Sequence, residues 1–153
     1  MNVGELISAL RSGALDDRLI ALYGEMALDA QRARYEQAIL KFRAIYGEQE
    51  NVRLLSVSGR SELSGNHTDH NLGRVIAAAV DLDILAVAAA TKDTLARVSS
   101  EGYPEDVVDI SDFTAPREAC YASSAALIAG VCAGLRQNGH RVGGFAAYTT
   151  SSV

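Results

Sequence analysis

The chain has 153 residues, a mass of 16.2 kDa, a formal net charge of -5 and 48% apolar residues, which together predict one acidic globular domain. Its 14 lysine and arginine residues form no cluster, which argues against a nucleic-acid partner. Two carboxylates, Asp81 and Asp83, interrupt the most apolar stretch and argue against a membrane-spanning helix there. The first ten residues contain Glu5 and lack a basic start followed by an apolar run, so they do not resemble a secretory signal. We therefore expect a cytoplasmic protein with no membrane partner.

Helical patterns fill the first fifty residues. Short helices are predicted over residues 5–11 and 16–23, and each is followed by a glycine that suits a helix end. A third helix, which ends at Gly47, is indicated by apolar residues at three- and four-residue spacing. These apolar positions are Ala38, Ile39, Phe42, Ile45 and Tyr46.

Strand-like segments occupy the middle of the chain. Residues 52–57 are β-branched and leucine-rich and end in Ser58-Gly59, which predicts a strand entering a loop. Residues 74–80 and 83–90 predict two further strands separated by an acidic turn at Asp81. Their alanines have poor strand propensity, so a helix over the first of these segments fits the periodicity as well. Shorter strands are predicted over 94–99 and 107–110.

A long helix and a last strand complete the predicted elements. The helix begins at Thr114, which can cap it, has Pro116 in its first turn and ends at Gly139. Cys120 and Cys132 lie about 18 Å apart along this helix, too far for a disulfide. The last strand follows over residues 142–148. This order of elements predicts an α+β domain.

The most chemically distinctive segment runs from residue 59 to residue 71. A sugar hydroxyl both donates and accepts hydrogen bonds, and a carboxylate or amide beside an imidazole or guanidinium binds it well. A guanidinium can also stabilise charge on a transferring phosphoryl group. The segment supplies these groups through Arg60, Asn66, His67, Asp69, His70 and Asn71.

Each of these residues has an ordinary alternative. His67, Asp69 and His70 could ligate a metal ion, but no other histidine-rich segment supports such a site. Asp69 also suits a turn, and Arg60 could form a surface ion pair with Glu62 that contributes little. The residue types alone leave ligand binding and a plain surface loop open.

The same segment resembles the substrate-binding motif of galactokinases, sugar kinases of the GHMP superfamily. Gly59-Arg60, then Gly65-Asn66-His67-Thr68-Asp69-His70-Asn71, then Arg74-Val75-Ile76, match that motif without a gap. The helical N-terminus and residues 147–153 also resemble the family. The resemblance implies a mixed β-sheet with helices packed on one side. It also implies a helical segment over residues 1–50, followed by part of the kinase N-terminal domain over residues 51–153.

The resemblance implies a role for several residues. Asp69 would accept hydrogen bonds from ring hydroxyls of the sugar, with His67 in the same pocket. Arg60 would be the catalytic group near the reacting hydroxyl and the γ-phosphate. Asn66 stands where the family usually has a glutamate that contacts the distal hydroxyl of the sugar. Tyr121 matches one member of an aromatic pair that holds adenine in ATP.

The resemblance implies galactose as the ligand. A related sugar is possible, because His70 and Ser58, like Asn66, differ from the residues that are usual in the family, a tyrosine at position 70 and a proline at position 58. Intact family members phosphorylate the anomeric hydroxyl of galactose with ATP and Mg²⁺. Their glycine- and serine-rich phosphate-binding loop would begin just after Val153, and no Gly-x-x-x-x-Gly-Lys-Ser/Thr loop occurs in the chain.

We therefore expect the N-terminal, sugar-binding part of a galactokinase that is truncated before the phosphate-binding motif and inactive by itself. The alternatives are a non-catalytic sugar-binding or sensor protein and an inert remnant. We also expect self-association through apolar surface near Phe145, Tyr148 and Val153.

Overall fold

The computed structural model describes residues 1–111 and 122–153, apart from the side chain of Asp69. Three helices lead into a run of strands, and a fourth helix precedes the last strand. The elements are α1 (Val3–Arg11), α2 (Asp16–Tyr23), α3 (Leu28–Tyr46), β1 (Arg53–Ser64), β2 (Ile76–Ala90), β3 (Leu95–Ser100), β4 (Asp106–Asp109), α4 (Ser124–Gln137) and β5 (Phe145–Ser151). Within the described ranges, no helix combines the length and the apolar character needed to cross a bilayer.

The three predicted N-terminal helices are confirmed, and their ends have local causes. Asn2 caps α1 by accepting a hydrogen bond from the Glu5 N–H at 2.9 Å, and the Glu5 carboxylate accepts from the Asn2 N–H at 2.9 Å. Gly24 and Gly47 end α2 and α3 in the left-handed region, at φ 80° and 72°.

The strands form one mixed sheet in the order β1-β2-β5-β3-β4. β3 pairs with β5 in parallel, and the other neighbours are antiparallel. The predicted α+β class with a mixed sheet is therefore confirmed.

The predicted loop after Ser58 and the predicted turn at Asp81 are both wrong. β1 continues past Ser58, and β2 runs unbroken through Asp81, which also excludes a helix there. Ser58 pairs with Asp83 while Arg60 pairs with Ala79, so one residue of β1 faces three residues of β2. This bulge absorbs the acidic interruption without a turn.

The long helix begins later than predicted. Ser123 has extended backbone, and its side chain accepts a hydrogen bond from the Ala126 N–H at 3.1 Å, so it is the N-cap of α4. The predicted start at Thr114, with Pro116 in the first turn, lies outside the described residues.

Helices cover both faces of the sheet. Side chains alternate along β5, so Ala146 and Tyr148 pack against the N-terminal helices while Phe145 packs on the α4 side. On that second face Ala96, Ile110 and Cys132 form the buried cluster. The prediction placed helices on one side and did not anticipate that the N-terminal segment covers the other.

The apolar surface predicted for self-association is largely buried. Tyr148 is only 4% exposed and Phe145 is half-buried, because both belong to the clusters beside the helices. Val153 is exposed, and so are three large apolar side chains on α4, Leu127, Val131 and Leu135. Self-association itself stays a prediction.

A buried carboxylate ties the N-terminal helices to the sheet. Asp83 accepts hydrogen bonds from the Tyr23 hydroxyl at 2.6 Å, the Ser56 hydroxyl at 2.5 Å and the Arg34 guanidinium at 2.6 Å. Its backbone carbonyl accepts the Ser152 N–H at 3.0 Å. One residue of β2 thus joins α2, α3, β1 and the chain end after β5.

The Asp83 carboxyl is ionised in this setting. Burial by itself raises the pKa of Asp83, but the hydrogen bonds from Ser56, Tyr23 and Arg34 outweigh that effect and hold the pKa below its ordinary value.

Replacing Asp83 with asparagine tests this network. We expect Asp83→Asn to lower the free energy of unfolding by about 3 kcal/mol, because the Arg34 charge loses its partner inside the fold. Urea unfolding followed by circular dichroism measures the change. Asp81→Asn is the matched control, since Asp81 lies on the same strand and is exposed. Equal losses of unfolding free energy in Asp83→Asn and Asp81→Asn would contradict a stabilising role of the Asp83 network.

The lowered pKa of Asp83 also predicts acid sensitivity. A carboxyl whose folded pKa lies below its unfolded value of 3.8 contributes stability above that value and loses it as the pH falls through the folded pKa. We expect the free energy of unfolding to fall as the pH drops below about 5, where the unfolded carboxyl begins to bind protons, and to fall less in Asp83→Asn. An identical slope in both proteins would exclude Asp83 as a source of the acid sensitivity.

Candidate functional site

The residues of the sequence motif lie on one β-hairpin. β1 carries the Gly59-Arg60 pair and ends at Ser64, and β2 begins at Ile76 and pairs with β1 in antiparallel fashion. The connection includes a 3-10 turn over Asp69–Asn71. Arg60 is therefore held on a strand, whereas Asn66, His67 and Asp69 belong to the connection at the end of the hairpin.

Two glycines of the connection are required by close backbone approach. Gly65 has a φ of 114°, and a Cβ there would lie 2.5 Å from the carbonyl oxygen of Arg74. A Cβ on Gly73 would lie 2.1 Å from the Thr68 Oγ1 atom. Both positions exclude any larger residue without a change of the connection.

Thr68 organises the connection, a role that was not predicted from the sequence. Its hydroxyl donates to the Gly65 carbonyl at 2.7 Å. Its own carbonyl accepts the N–H groups of Asn71 at 3.0 Å and Gly73 at 2.8 Å. The available signal was its place in the motif between two glycines, where a hydroxyl can satisfy local backbone groups.

Asn66 and His67 adopt an unusual backbone. Both have left-handed φ values, 53° and 54°, and both side chains are exposed. The His67 ring lies 5.6 Å from the His70 ring, measured between centroids. The end of the hairpin thus presents an amide and two imidazoles to solvent.

Glu62 makes the closest described contacts to His67. Its Oε1 atom accepts the His67 backbone N–H at 2.5 Å, and its Oε2 atom lies 3.7 Å from His67 Nδ1. Glu62 and Arg60 are two residues apart on β1 and pair with Ala77 and Ala79 in unbroken register, so they share one face of the strand. From the sequence alone, Glu62 was expected only as an ion-pair partner of Arg60.

The structure brings some of the predicted site residues together, whereas others lie outside the described residues. His67 lies beside His70 and Glu62, and Arg60 shares the Glu62 face of β1. The side chain of Asp69 and the whole of Tyr121 lie outside the described residues. Among the described residues, no group of three or more His, Cys, Asp or Glu side chains could hold a metal ion.

Gly59 brings the end of the chain close to Arg60. A Cβ on Gly59 would lie 3.0 Å from Val153 Cγ2 and 3.1 Å from Val80 Cγ2. The glycine of the Gly-Arg pair therefore allows the residues after β5 to pack beside the motif strand.

A family model described as the galactokinase galactose-binding signature matches residues 40–90. The match includes the end of α3, all of β1, the connection and all of β2. It therefore contains the hairpin that carries the motif.

Three galactokinases are similar to parts of the chain. The protein from Bacillus subtilis (strain 168) is 36% identical over 62 residues, which are 40% of this chain and 16% of that protein. The Candida parapsilosis protein is 27% identical over 93 residues, 58% of this chain and 18% of that protein. The protein from Lactococcus lactis subsp. cremoris (strain MG1363) is 31% identical over 65 residues, 42% of this chain and 16% of that protein. The chain thus spans less than a fifth of the length of these relatives.

The fold matches a solved structure, the crystal structure of Lactococcus lactis galactokinase in complex with galactose. The TM-score is 0.64 at 21% identity, over 79% of this chain and 31% of that chain. The signature and the three relatives make parts of this chain similar to galactokinases, as its motif predicted, and the solved structure shares its fold.

Proposed function

We propose that this chain is the galactose-binding part of an ATP-dependent galactokinase. The observation that carries the proposal is the match of residues 40–90 to the galactose-binding signature, on the hairpin that holds Arg60, Asn66, His67 and Asp69. The similar Lactococcus lactis protein was crystallised with galactose, which supports a sugar as the ligand.

The sugar would bind at the end of the hairpin. The exposed Asn66 amide both donates and accepts, and the exposed His67 imidazole can do the same, so they suit sugar hydroxyls. In the proposed site, Asp69 accepts hydrogen bonds from the ring hydroxyls of the sugar, and Arg60 lies near the reacting hydroxyl. The strand register holds Arg60 on a rigid element, which favours a fixed position relative to the bound sugar.

The described residues do not fit a binding site for the phosphates of ATP. Such a site combines a glycine-rich loop with a helix N-terminus, whose N–H groups bind anions. Among the described helices, α4 begins at Ser124, and the side chain of its N-cap, Ser123, accepts one of the N–H groups at that end, from Ala126. We therefore assign no step through ATP or Mg²⁺ to these residues. An adenine contact by Tyr121 stays a prediction.

Replacing Asn66 tests the proposed sugar site. We expect galactose to shift ¹⁵N–¹H NMR signals of residues 59–71, and Asn66→Ala to weaken binding about fivefold, the effect of one lost hydrogen bond. Asn51→Ala is a matched control, because Asn51 is also exposed and has nearly the same left-handed φ, 54°. The control should leave the affinity unchanged.

Two outcomes would contradict the sugar site. A folded wild-type chain with no galactose-dependent shifts would fit an inert remnant. Equal weakening by Asn66→Ala and Asn51→Ala would show that backbone strain, and not the Asn66 amide, changes the affinity.

A second prediction concerns catalysis by the 153-residue chain. With galactose and Mg-ATP, we expect no galactose 1-phosphate above a protein-free blank, because the described residues lack a phosphate-binding loop. Full-length Bacillus subtilis galactokinase serves as the positive control for the assay. Binding without turnover fits both the proposal and a non-catalytic sugar-binding protein, whereas product formation would contradict the predicted inactivity.

A further inference from the structure

Glu62 occupies a sheltered position beside the candidate site. It lies on β1 two residues after Arg60, and its side chain is only 18% exposed. Unbroken pairing with β2 between these two residues places both on one face of the strand. The strand therefore fixes the position of the Glu62 Cα atom and the face toward which the side chain extends.

The two oxygens of Glu62 approach one residue in two places. Oε1 accepts the backbone N–H of His67 at 2.5 Å, and Oε2 lies 3.7 Å from the ring Nδ1 atom. The first contact fixes the backbone of His67, and the second places the carboxylate beside the imidazole. The His67 ring is otherwise 72% exposed, so little packing would hold it in one orientation.

The backbone at this point requires such support. Asn66 and His67 are consecutive residues with left-handed φ values, and each such conformation costs a non-glycine residue about 1 kcal/mol. A hydrogen bond from the His67 N–H to a carboxylate is charge-assisted and offsets part of that cost. Glu62 therefore favours the conformation that carries His67 at the end of the hairpin.

We propose that Glu62 is a positioning residue that holds His67 toward the strand face that carries Arg60. The His67 imidazole and the Arg60 guanidinium can then contact the same bound sugar. The proposal rests on the proposed function and adds to it a residue that affects sugar affinity without being one of the predicted binding residues.

The test compares Glu62→Ala with Glu62→Gln in the full 153-residue chain. Glutamine keeps an oxygen that can accept the His67 N–H, whereas alanine removes it. We expect the His67 amide to exchange with solvent about tenfold faster in Glu62→Ala and only about threefold faster in Glu62→Gln, because the neutral amide oxygen accepts a weaker hydrogen bond than the carboxylate. Glu25→Ala is the control, because Glu25 is exposed and lies outside residues 40–90.

Galactose affinity is the second readout. We expect Glu62→Ala to weaken galactose binding about tenfold, with partial recovery in Glu62→Gln, while Glu25→Ala matches the wild type. Unchanged exchange of the His67 amide in Glu62→Ala would overturn the proposal, even if affinity falls. Equal effects of alanine and glutamine on that amide would also overturn it.

The exchange measurement separates this proposal from the proposed function. If wild-type protein binds no galactose, the proposed function fails, whereas faster His67 exchange in Glu62→Ala alone would still support Glu62 as the residue that positions His67. Thermal unfolding of each variant identifies a general loss of stability, which would accelerate exchange throughout β1 and not at His67 alone.

Discussion

The buried carboxylate of Asp83 is the interaction on which the rest of the structure depends. An ionised group removed from water is costly unless donors replace the lost hydration. Tyr23, Ser56 and Arg34 supply those donors from α2, β1 and α3. Because the donors come from separate elements, the carboxylate is satisfied only when the helices and the sheet adopt one relative arrangement.

The same residue pairs with β1 just before the sequence motif of the candidate site begins. Asp83 pairs with Ser58, and the bulge that follows resets the register so that Arg60 pairs with Ala79. The Ser152 N–H binds the Asp83 carbonyl, and Val153 packs beside Gly59. The anchored end of the hairpin thus joins the sheet core, while its other end projects the residues proposed to bind sugar.

Within the hairpin, two kinds of residue have separate tasks. Gly65, Thr68 and Gly73 allow and hold the compact connection through close approach and backbone hydrogen bonds. Asn66 and His67 stay exposed and carry the polar groups that are proposed to bind a sugar. Placing recognition groups on a connection that rigid strands support is a common way to combine exposure with fixed geometry.

The sequence by itself determined the three N-terminal helices, the α+β class and the motif that relates the chain to the galactokinases. These features depend on local periodicity, glycine positions and residue spacing, which can be read without a partner segment. Tertiary structure decided that β1 and β2 run through Ser58 and Asp81, that Tyr148 is buried, and that Glu62 contacts His67. Strand pairing supplies hydrogen bonds that override local turn signals, and burial depends on which helices cover each face of the sheet. Strand pairing and burial both depend on segments that are distant in the sequence, so local patterns cannot predict them.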